Sequence, residues 1–416
     1  MVSIMLKREY YLNKIRKLMD TNEIKLITGL RRSGKTYFLR AIIEELKNKG
    51  INDKNIIYIS FESGKYRKIR NDEQLDEIIK SLINKDNGKY YILFDEIQRV
   101  NGWEESIASY LVDYNCDLYV TGSNSKILSG ELATNLSGRF VKLELYPFSF
   151  KEILEYHKKI LKENISLEYE SKLFDEYLEY GGLPGLLQYK DEEYKQNYIN
   201  YAYESIVLHD ILERSKIQDI DLLYRLLDFL ISNTGQLYSA NSISKYLKED
   251  NKSIKRDSQS ISVKTLIKYN EHILNSMVMS KCKREDVTVK KKLKYLEKYY
   301  VADTAFYTLL NENKRNYGQI LETVVYNELR RRGYSVSVGE INNLEIDFIG
   351  RKFKKKIYVQ VSESVKDDKT YKREIKSLKK VKDNFQKYLI TTDNFDFSDE
   401  GIIHLNIKDF LKNEDI

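Results

Sequence analysis

The sequence predicts an α/β chain built on a parallel sheet, and three observations carry that prediction. Gly29-Leu30-Arg31-Arg32-Ser33-Gly34-Lys35-Thr36 is a glycine, four residues, then Gly-Lys-Thr, the pattern of a loop whose backbone N–H groups cradle phosphate. Downstream, the apolar run Tyr91-Ile92-Leu93-Phe94 ends on two acids, Asp95 and Glu96. Between and beyond these, short β-prone runs alternate with helical periodicity. That order gives a parallel sheet whose ligand sits at the C-terminal edge of the strands.

The elements follow in order. Ile24-Lys25-Leu26-Ile27-Thr28 reads as a strand entering the glycine loop. After it, Leu39, Ile42, Ile43 and Leu46 recur at helical spacing, with Gly50 as C-cap. Gly29 through Thr36, with Tyr37 following, is then the nucleotide-binding segment. The helix N-terminus adds partial positive charge to that of Lys35. On this reading Lys35 meets the β/γ-phosphate oxygens of ATP, Thr36 and Asp95 serve Mg²⁺, and Glu96 polarises the attacking water. An acid pair alone is a solvated strand end; its position after the glycine loop assigns it to nucleotide chemistry. Leu118-Tyr119-Val120 is a further strand, ending in Thr121-Gly122-Ser123-Asn124. Ser123 and Asn124 stand equally as γ-phosphate sensors from the neighbouring strand and as ordinary turn residues. Ile56–Ile59 and Val141–Leu143 supply two more strands.

These phrases resemble the AAA+ superfamily, in its branch close to the STAND-type signalling ATPases. The residues that carry the likeness are the glycine loop, Phe94-Asp95-Glu96-Ile97-Gln98 with Trp103, and Thr121-Gly122-Ser123. Leu136-Ser137-Gly138-Arg139 and Leu145-Tyr146-Pro147-Phe148-Ser149-Phe150 extend it. The chain is similar over nearly its whole length to a prokaryotic family of P-loop ATPases whose C-terminal domain has no settled function. The resemblance implies an AAA+ ATP-binding core over residues 1–150 and a helical lid over 151–221. It places Arg139 where an arginine finger acts on a neighbouring subunit's nucleotide, which requires a homo-oligomer; the plain alternative is a surface salt bridge. Gly182-Leu183-Pro184 looks like the STAND element that contacts the base, and equally like a helix–helix turn.

Residues 222–310 read as a winged helix. Ser239 caps a short helix with Ile243, Tyr246 and Leu247, and a second helix carries Val263, Leu266, Ile267 and Ile273. Strand-like runs Val278–Lys281 and Val287–Lys290 follow, with Lys283-Arg284-Glu285-Asp286 expected at the tip. Lys264 and Lys268 would face phosphate in a duplex groove. Residues 311–416 resemble the restriction-endonuclease-like fold: a helix with Glu322, a strand with Glu345 and Asp347, then Val359-Gln360-Val361-Ser362. In nucleases of that fold a later Glu and Lys complete a metal site. Here Gln360 and Ser362 replace them, so the site is degenerate, and a binding surface is favoured over cleavage. Lys372 or Lys376 would have to take over the missing lysine's role.

Composition narrows the rest. The 416 residues allow two to four domains. No apolar run reaches the ~18 residues of a membrane span, and no signal peptide precedes the first strand, which predicts a cytoplasmic protein without a membrane partner. Two cysteines exclude a disulfide framework, and four scattered histidines lack metal-ligand spacing. The net charge is +7, but residues 351–382 hold 13 basic against 4 acidic side chains and residues 252–298 hold 13 against 5. Such segments are the electrostatic footprint of a nucleic-acid binder, DNA favoured, or a solvated lysine-rich face. The expected function is an ATP-driven switch on nucleic acid. An ATP-dependent nuclease using Glu322, Glu345 and Asp347, or a regulator of a protein partner, are the alternatives.

Overall fold

A computed structural model describes residues 6–84, 88–123, 138–213, 217–253, 262–287, 291–292, 296–311 and 315–414. The chain forms two compact units. One is Met1–Tyr146 with the short segment Asn275–Met277; the other is Pro147–Leu274 with Val278–Ile416.

The first unit runs α1 (Glu9–Arg16), β1 (Ile24–Thr28), α2 (Lys35–Asn48), β2 (Ile56–Ser60), α3 (Asp72–Leu82), β3 (Tyr90–Asp95), α4 (Trp103–Asp113), β4 (Cys116–Gly122) and β5 (Phe140–Glu144). Its five strands are all parallel, in the order β2-β3-β4-β1-β5. Strand β3 is buried at every position, as its unbroken apolar run requires. Its side chains alternate between two cores. Tyr90, Ile92 and Phe94 join Trp103, Ile107 and Leu75 on one face, whereas Tyr91 and Leu93 join Leu39, Ile42 and Tyr11 on the other. One buried ion pair, Lys25 with Asp117, bridges β1 and β4 in the sheet interior.

The second unit begins with three helices, α5 (Phe150–Lys159), α6 (Leu167–Tyr180) and α7 (Glu192–Ser205), the last continued by a π-helical segment, Ile206–Leu212. Ser149 and Glu152 form a capping box that starts α5. Next come α8 (Ile220–Ser232), β6 (Leu237–Tyr238), α9 (Ala240–Ser253), α10 (Val263–Asn275), β7 (Met279–Asp286), β8 (Lys291–Lys292), β9 (Glu297–Val301) and α11 (Thr304–Leu310). The remainder is α12 (Tyr317–Arg331), β10 (Ser335–Ile341), β11 (Leu344–Lys352), β12 (Lys355–Val361), α13 (Asp368–Lys380), β13 (Gln386–Thr391), β14 (Ile402–Asn406) and α14 (Ile407–Lys412).

Two features differ from the expectation. Lys283-Arg284-Glu285-Asp286 lies inside β7, not at a hairpin tip, and the strands that return against β7 are β8 and β9; residues 288–290 of the expected return run lie outside the described residues. The reason is register: β7 pairs antiparallel with β9 through Met279–Cys282 and parallel with β10 through Lys283–Asp286. One strand therefore belongs to two pairings. It fuses the segments divided at residue 310 into a single mixed sheet, β14-β13-β12-β11-β10-β7-β9-β6.

Candidate functional site

The glycine loop joins β1 to α2, as a phosphate cradle requires. Gly34 stands at φ 94°, in left-handed backbone that a glycine adopts without strain. A Cβ at Gly29 would lie 2.3 Å from the Leu145 carbonyl oxygen, so only glycine fits there. Lys35 is buried, its Nζ donating to the carbonyls of Gly29 at 3.0 Å and Leu30 at 3.1 Å, with Glu96 Oε1 3.8 Å away. Leu30 and Ser33 are buried, Arg31 and Arg32 half-buried, and Tyr37 is exposed. Arg32 adopts φ 67°, a left-handed residue in the loop's turn.

Asp95 ends β3 and meets α2 directly: Thr36 Oγ1 donates to its Oδ2 at 2.9 Å. Tyr58 donates to the same oxygen at 3.1 Å and Thr121 to Oδ1 at 2.7 Å. Burial pushes the Asp95 carboxyl above the usual carboxylate range, Thr121 opposes that, and Glu96 adds to it. Glu96 itself is held at φ 58°, its N–H donating to Thr121 Oγ1 at 3.0 Å. Ser123 donates to Glu96 Oε2 at 3.1 Å, and the Gln98 amide donates to the same oxygen. The sheet order explains the convergence. Strand β4 lies between β1 and β3, so Thr121 and Ser123 reach the acids from the strand beside the glycine loop. Asn124 lies outside the described residues.

The donor set fits MgATP. Thr28 Oγ1 and Ser33 Oγ are buried at the two ends of the loop without a hydrogen-bond partner among the described residues. The loop closes on Gly29 without room for a side chain, and an ammonium, a threonine hydroxyl and two carboxylates converge beside it. Sequence reasoning missed four supports: Tyr58, Thr121, Gln98 and Arg8. Arg8 is buried, and its Nη1 donates to the carbonyls of Tyr146 at 2.8 Å and Ser33 at 3.3 Å. Gln98 and Thr121 stand inside the runs quoted above, but only the fold shows which acid each serves; Tyr58 comes from β2 and Arg8 from the residue before α1, and no local motif marks those two.

Arg139 stands apart from this group. Its carbonyl accepts from Ile24 N–H at the start of β1, and β5 then runs parallel from Phe140 opposite Ile24 to Glu144 opposite Thr28. Its exposed side chain is thus at the sheet edge opposite the glycine loop, about 16 Å along the strands.

In the second unit, Pro184 opens a short 3₁₀ turn, Pro184–Gln188. The glycines before it answer to packing. A Cβ at Gly182 would lie 2.1 Å from the Phe148 carbonyl, and one at Gly181 would overlap Asp303. Asp303 accepts from Gly182 N–H at 2.9 Å and Ala305 N–H at 3.0 Å, and burial pushes its carboxyl up to about 6.

The four residues of the degenerate nuclease pattern come together, but around a lysine. Lys298 Nζ on β9 is 2.8 Å from Glu322 Oε1 and 2.7 Å from Glu345 Oε1. Tyr300 donates to the same Glu322 oxygen at 2.6 Å. Asp347 accepts from Val361 N–H at 2.8 Å; burial, then Glu322, hold its carboxyl well above the usual range. Gln360 accepts from Asp347 N–H at 3.4 Å and donates to Glu374 at 3.0 Å, a task an anionic glutamate could not perform. Ser362 sits outside the cluster, with its hydroxyl on the Ser364 carbonyl, and Lys372 and Lys376 are exposed on α13. Among the described residues no three His, Cys, Asp or Glu side chains are grouped to hold a metal ion, so weak metal binding by Glu322, Glu345 and Asp347 gives way to an ion pair.

A family model described as an AAA domain matches residues 21–154, and one described as a domain of unknown function (DUF8612) matches 171–316. Among solved structures, Orc1 of Aeropyrum pernix in complex with DNA aligns with 75% of this chain and 94% of its own, at 12% identity and a TM-score of 0.35. AMPPCP-bound DnaA from Aquifex aeolicus aligns with 64% of this chain and 94% of its own, at 17% identity and a TM-score of 0.34. An uncharacterized protein of Haemophilus influenzae is 36% identical over 413 residues, covering 99% of this chain and 100% of its own length. One of Methanocaldococcus jannaschii is 32% identical over 400 residues, covering 93% of this chain and 85% of its own. With such identity along almost the entire length, and with the loop and acid pair in register on one parallel sheet, the chain belongs to the family of these two relatives and carries a P-loop AAA+ domain.

Proposed function

We propose that the chain is a Mg²⁺-dependent ATPase working as a nucleotide-driven switch on nucleic acid. The observation that carries the enzymatic part is the Thr36–Asp95 hydrogen bond, which joins the loop's metal-binding hydroxyl to the acid of β3 beside Lys35 and Glu96. MgATP, when bound, supplies the phosphoryl group and the charge that screens it. Lys35 leaves its carbonyl partners to neutralise phosphate. Thr36 and Asp95 hold the metal, Glu96 orients water, and Ser123, already on the Glu96 carboxylate, reports the state of the site. Arg139, at the opposite sheet edge, serves a neighbouring copy in a homo-oligomer. Lys35→Ala abolishes ATP binding and hydrolysis; a variant that turned over ATP at the wild-type rate would remove the assignment.

The nucleic-acid part rests on charge. Lys264 and Lys268 are exposed on α10, and Lys369, Lys372, Arg373, Lys376, Lys379 and Lys380 on α13. The segments 222–310 and 311–416 are taken as a winged helix and a restriction-endonuclease-like module that bind rather than cut. ATP turnover is measured with and without duplex, single-stranded and branched DNA, across a salt series. Stimulation by one of them, weakening steeply as salt rises, is the expected result. No binding even at low salt would transfer the switch to a protein partner.

A further inference from the structure

We infer that the carboxylate cluster of the second unit is a cation site whose cation belongs to the chain itself: the Lys298 ammonium stands in for a divalent metal ion. The cluster draws on three elements, Glu322 from α12, Glu345 and Asp347 from β11, and Lys298 from β9. Lys298 is only 4% exposed and Asp347 7%. Carboxylates gathered out of water repel one another and lose hydration, so the arrangement needs a buried positive charge at its centre. Lys298 supplies it: two oxygens from different elements converge on one nitrogen, at 2.8 and 2.7 Å. The amide of Gln360, in place of another acid, keeps the negative charge low enough for a monovalent partner.

The lysine arrives from outside the pattern that supplies the acids. At Lys298, β9 pairs with Cys282 of β7 on one side and Leu237 of β6 on the other, so the sheet fixes its backbone on both flanks. The ammonium is therefore a permanent occupant, and the intact protein takes up no divalent ion there. An N–H···O separation of 2.7–2.8 Å exceeds the roughly 2.3–2.6 Å of Ca²⁺–oxygen contacts slightly and the roughly 2.0–2.1 Å of Mg²⁺ by more. Without the ammonium, the carboxylates close on Ca²⁺ with less movement than on Mg²⁺. Glu345, one-third exposed, leaves an entry path.

Tyr300 gives the test its readout, because its hydroxyl is 2.6 Å from the Glu322 oxygen and its ring would sensitise Tb³⁺ bound there. Tyrosine-excited Tb³⁺ emission is recorded for the full chain as wild type, Glu322→Gln, Lys298→Ala and Lys298→Ala/Glu322→Gln. Dependence on Glu322 separates this cluster from any ion at Asp95, which also lies beside a tyrosine. Wild type and Glu322→Gln are expected to emit alike. Lys298→Ala should emit several-fold more, lose the gain in the double variant, and be displaced by Ca²⁺ at lower concentration than by Mg²⁺. Its melting temperature should rise with Ca²⁺ while that of the wild type does not. Should Lys298→Ala fail to fold, Lys298→Gln, which keeps a stem and a neutral donor, is read in the same way. Emission that Glu322→Gln removes from the wild type would overturn the inference, because the metal would then bind with the lysine in place. So would a folded Lys298 variant with no added emission.

Discussion

Two of the buried lysines that lie beside carboxylates, Lys35 and Lys298, are held in opposite ways. Lys35 rests on two neutral carbonyls of its own loop, at 3.0 and 3.1 Å, with its nearest acid oxygen among these contacts 3.8 Å off. Lys298 is clamped between two carboxylates at 2.8 and 2.7 Å. Burial lowers the Lys298 pKa, but Glu322, Asp347 and Glu345 outweigh it and hold it above the ordinary lysine value. Carboxylates hold an ammonium by opposite charge as well as by hydrogen bonding, whereas carbonyls offer only their dipoles, so the Lys35 ammonium exchanges partners more readily than that of Lys298. On the proposed readings, the same residue type serves a ligand in one unit and replaces one in the other.

Substitution at the two positions is the largest break in this comparison. Lys35→Ala should eliminate ATP turnover while lowering unfolding free energy by about 1–3 kcal/mol, since it removes two hydrogen bonds to carbonyls. Lys298→Ala should cost about 3–5 kcal/mol, because it strands buried carboxylates, and leave ATP binding intact. Urea unfolding and nucleotide titration on both variants check the pair. Equal stability losses would mean that the clamp around Lys298 is not what distinguishes them.

Glu96→Gln should lower turnover by about 10²–10³-fold with nucleotide affinity retained, as expected for a group that acts on the reacting water and not on binding. A parallel loss of affinity would move Glu96 into the binding machinery.

A pH series sharpens the contrast between charges that are needed and charges that are merely tolerated. Asp303 is raised from 3.8 to about 6 by burial, so the folded state binds its proton more tightly than the unfolded chain does. Its contribution is fully present below the unfolded value and is lost as pH rises through about 6. Unfolding free energy should therefore fall by about 2 kcal/mol between pH 4 and 6, and Asp303→Asn should flatten that slope. The smallest effect is expected from Tyr58→Phe, which removes one of three hydroxyl donors on Asp95 and should weaken Mg²⁺-dependent nucleotide binding about five-fold.

Much of the first unit was legible because its signals are local. The apolar run of β3, the helical spacing after Thr36 and the glycine loop each occupy a few consecutive residues, and the backbone conformations they need are written in residue type. Thr121 was harder to read: it lies two residues before Ser123 in the same run, and only the pairing of β4 with both neighbours shows that its hydroxyl serves Asp95 and the Glu96 amide. Gly182 and Pro184 show the opposite failure. Their turn chemistry is readable, but the reason for glycine is the Phe148 carbonyl at Gly182 and the Asp303 carboxylate at the neighbouring Gly181, more than a hundred residues away in the second case.

By itself, then, the sequence determined the phosphate cradle, the acid pair and the alternation that makes a parallel sheet, since these depend on neighbours along the chain. The tertiary structure alone decided what the acids of the second unit surround. Lys298 lies 24 residues before Glu322, on a strand where Glu322 is on a helix. No spacing rule links it to Glu322, Glu345 and Asp347, and its charge reaches them only because β7 joins β9 and β10 into one sheet.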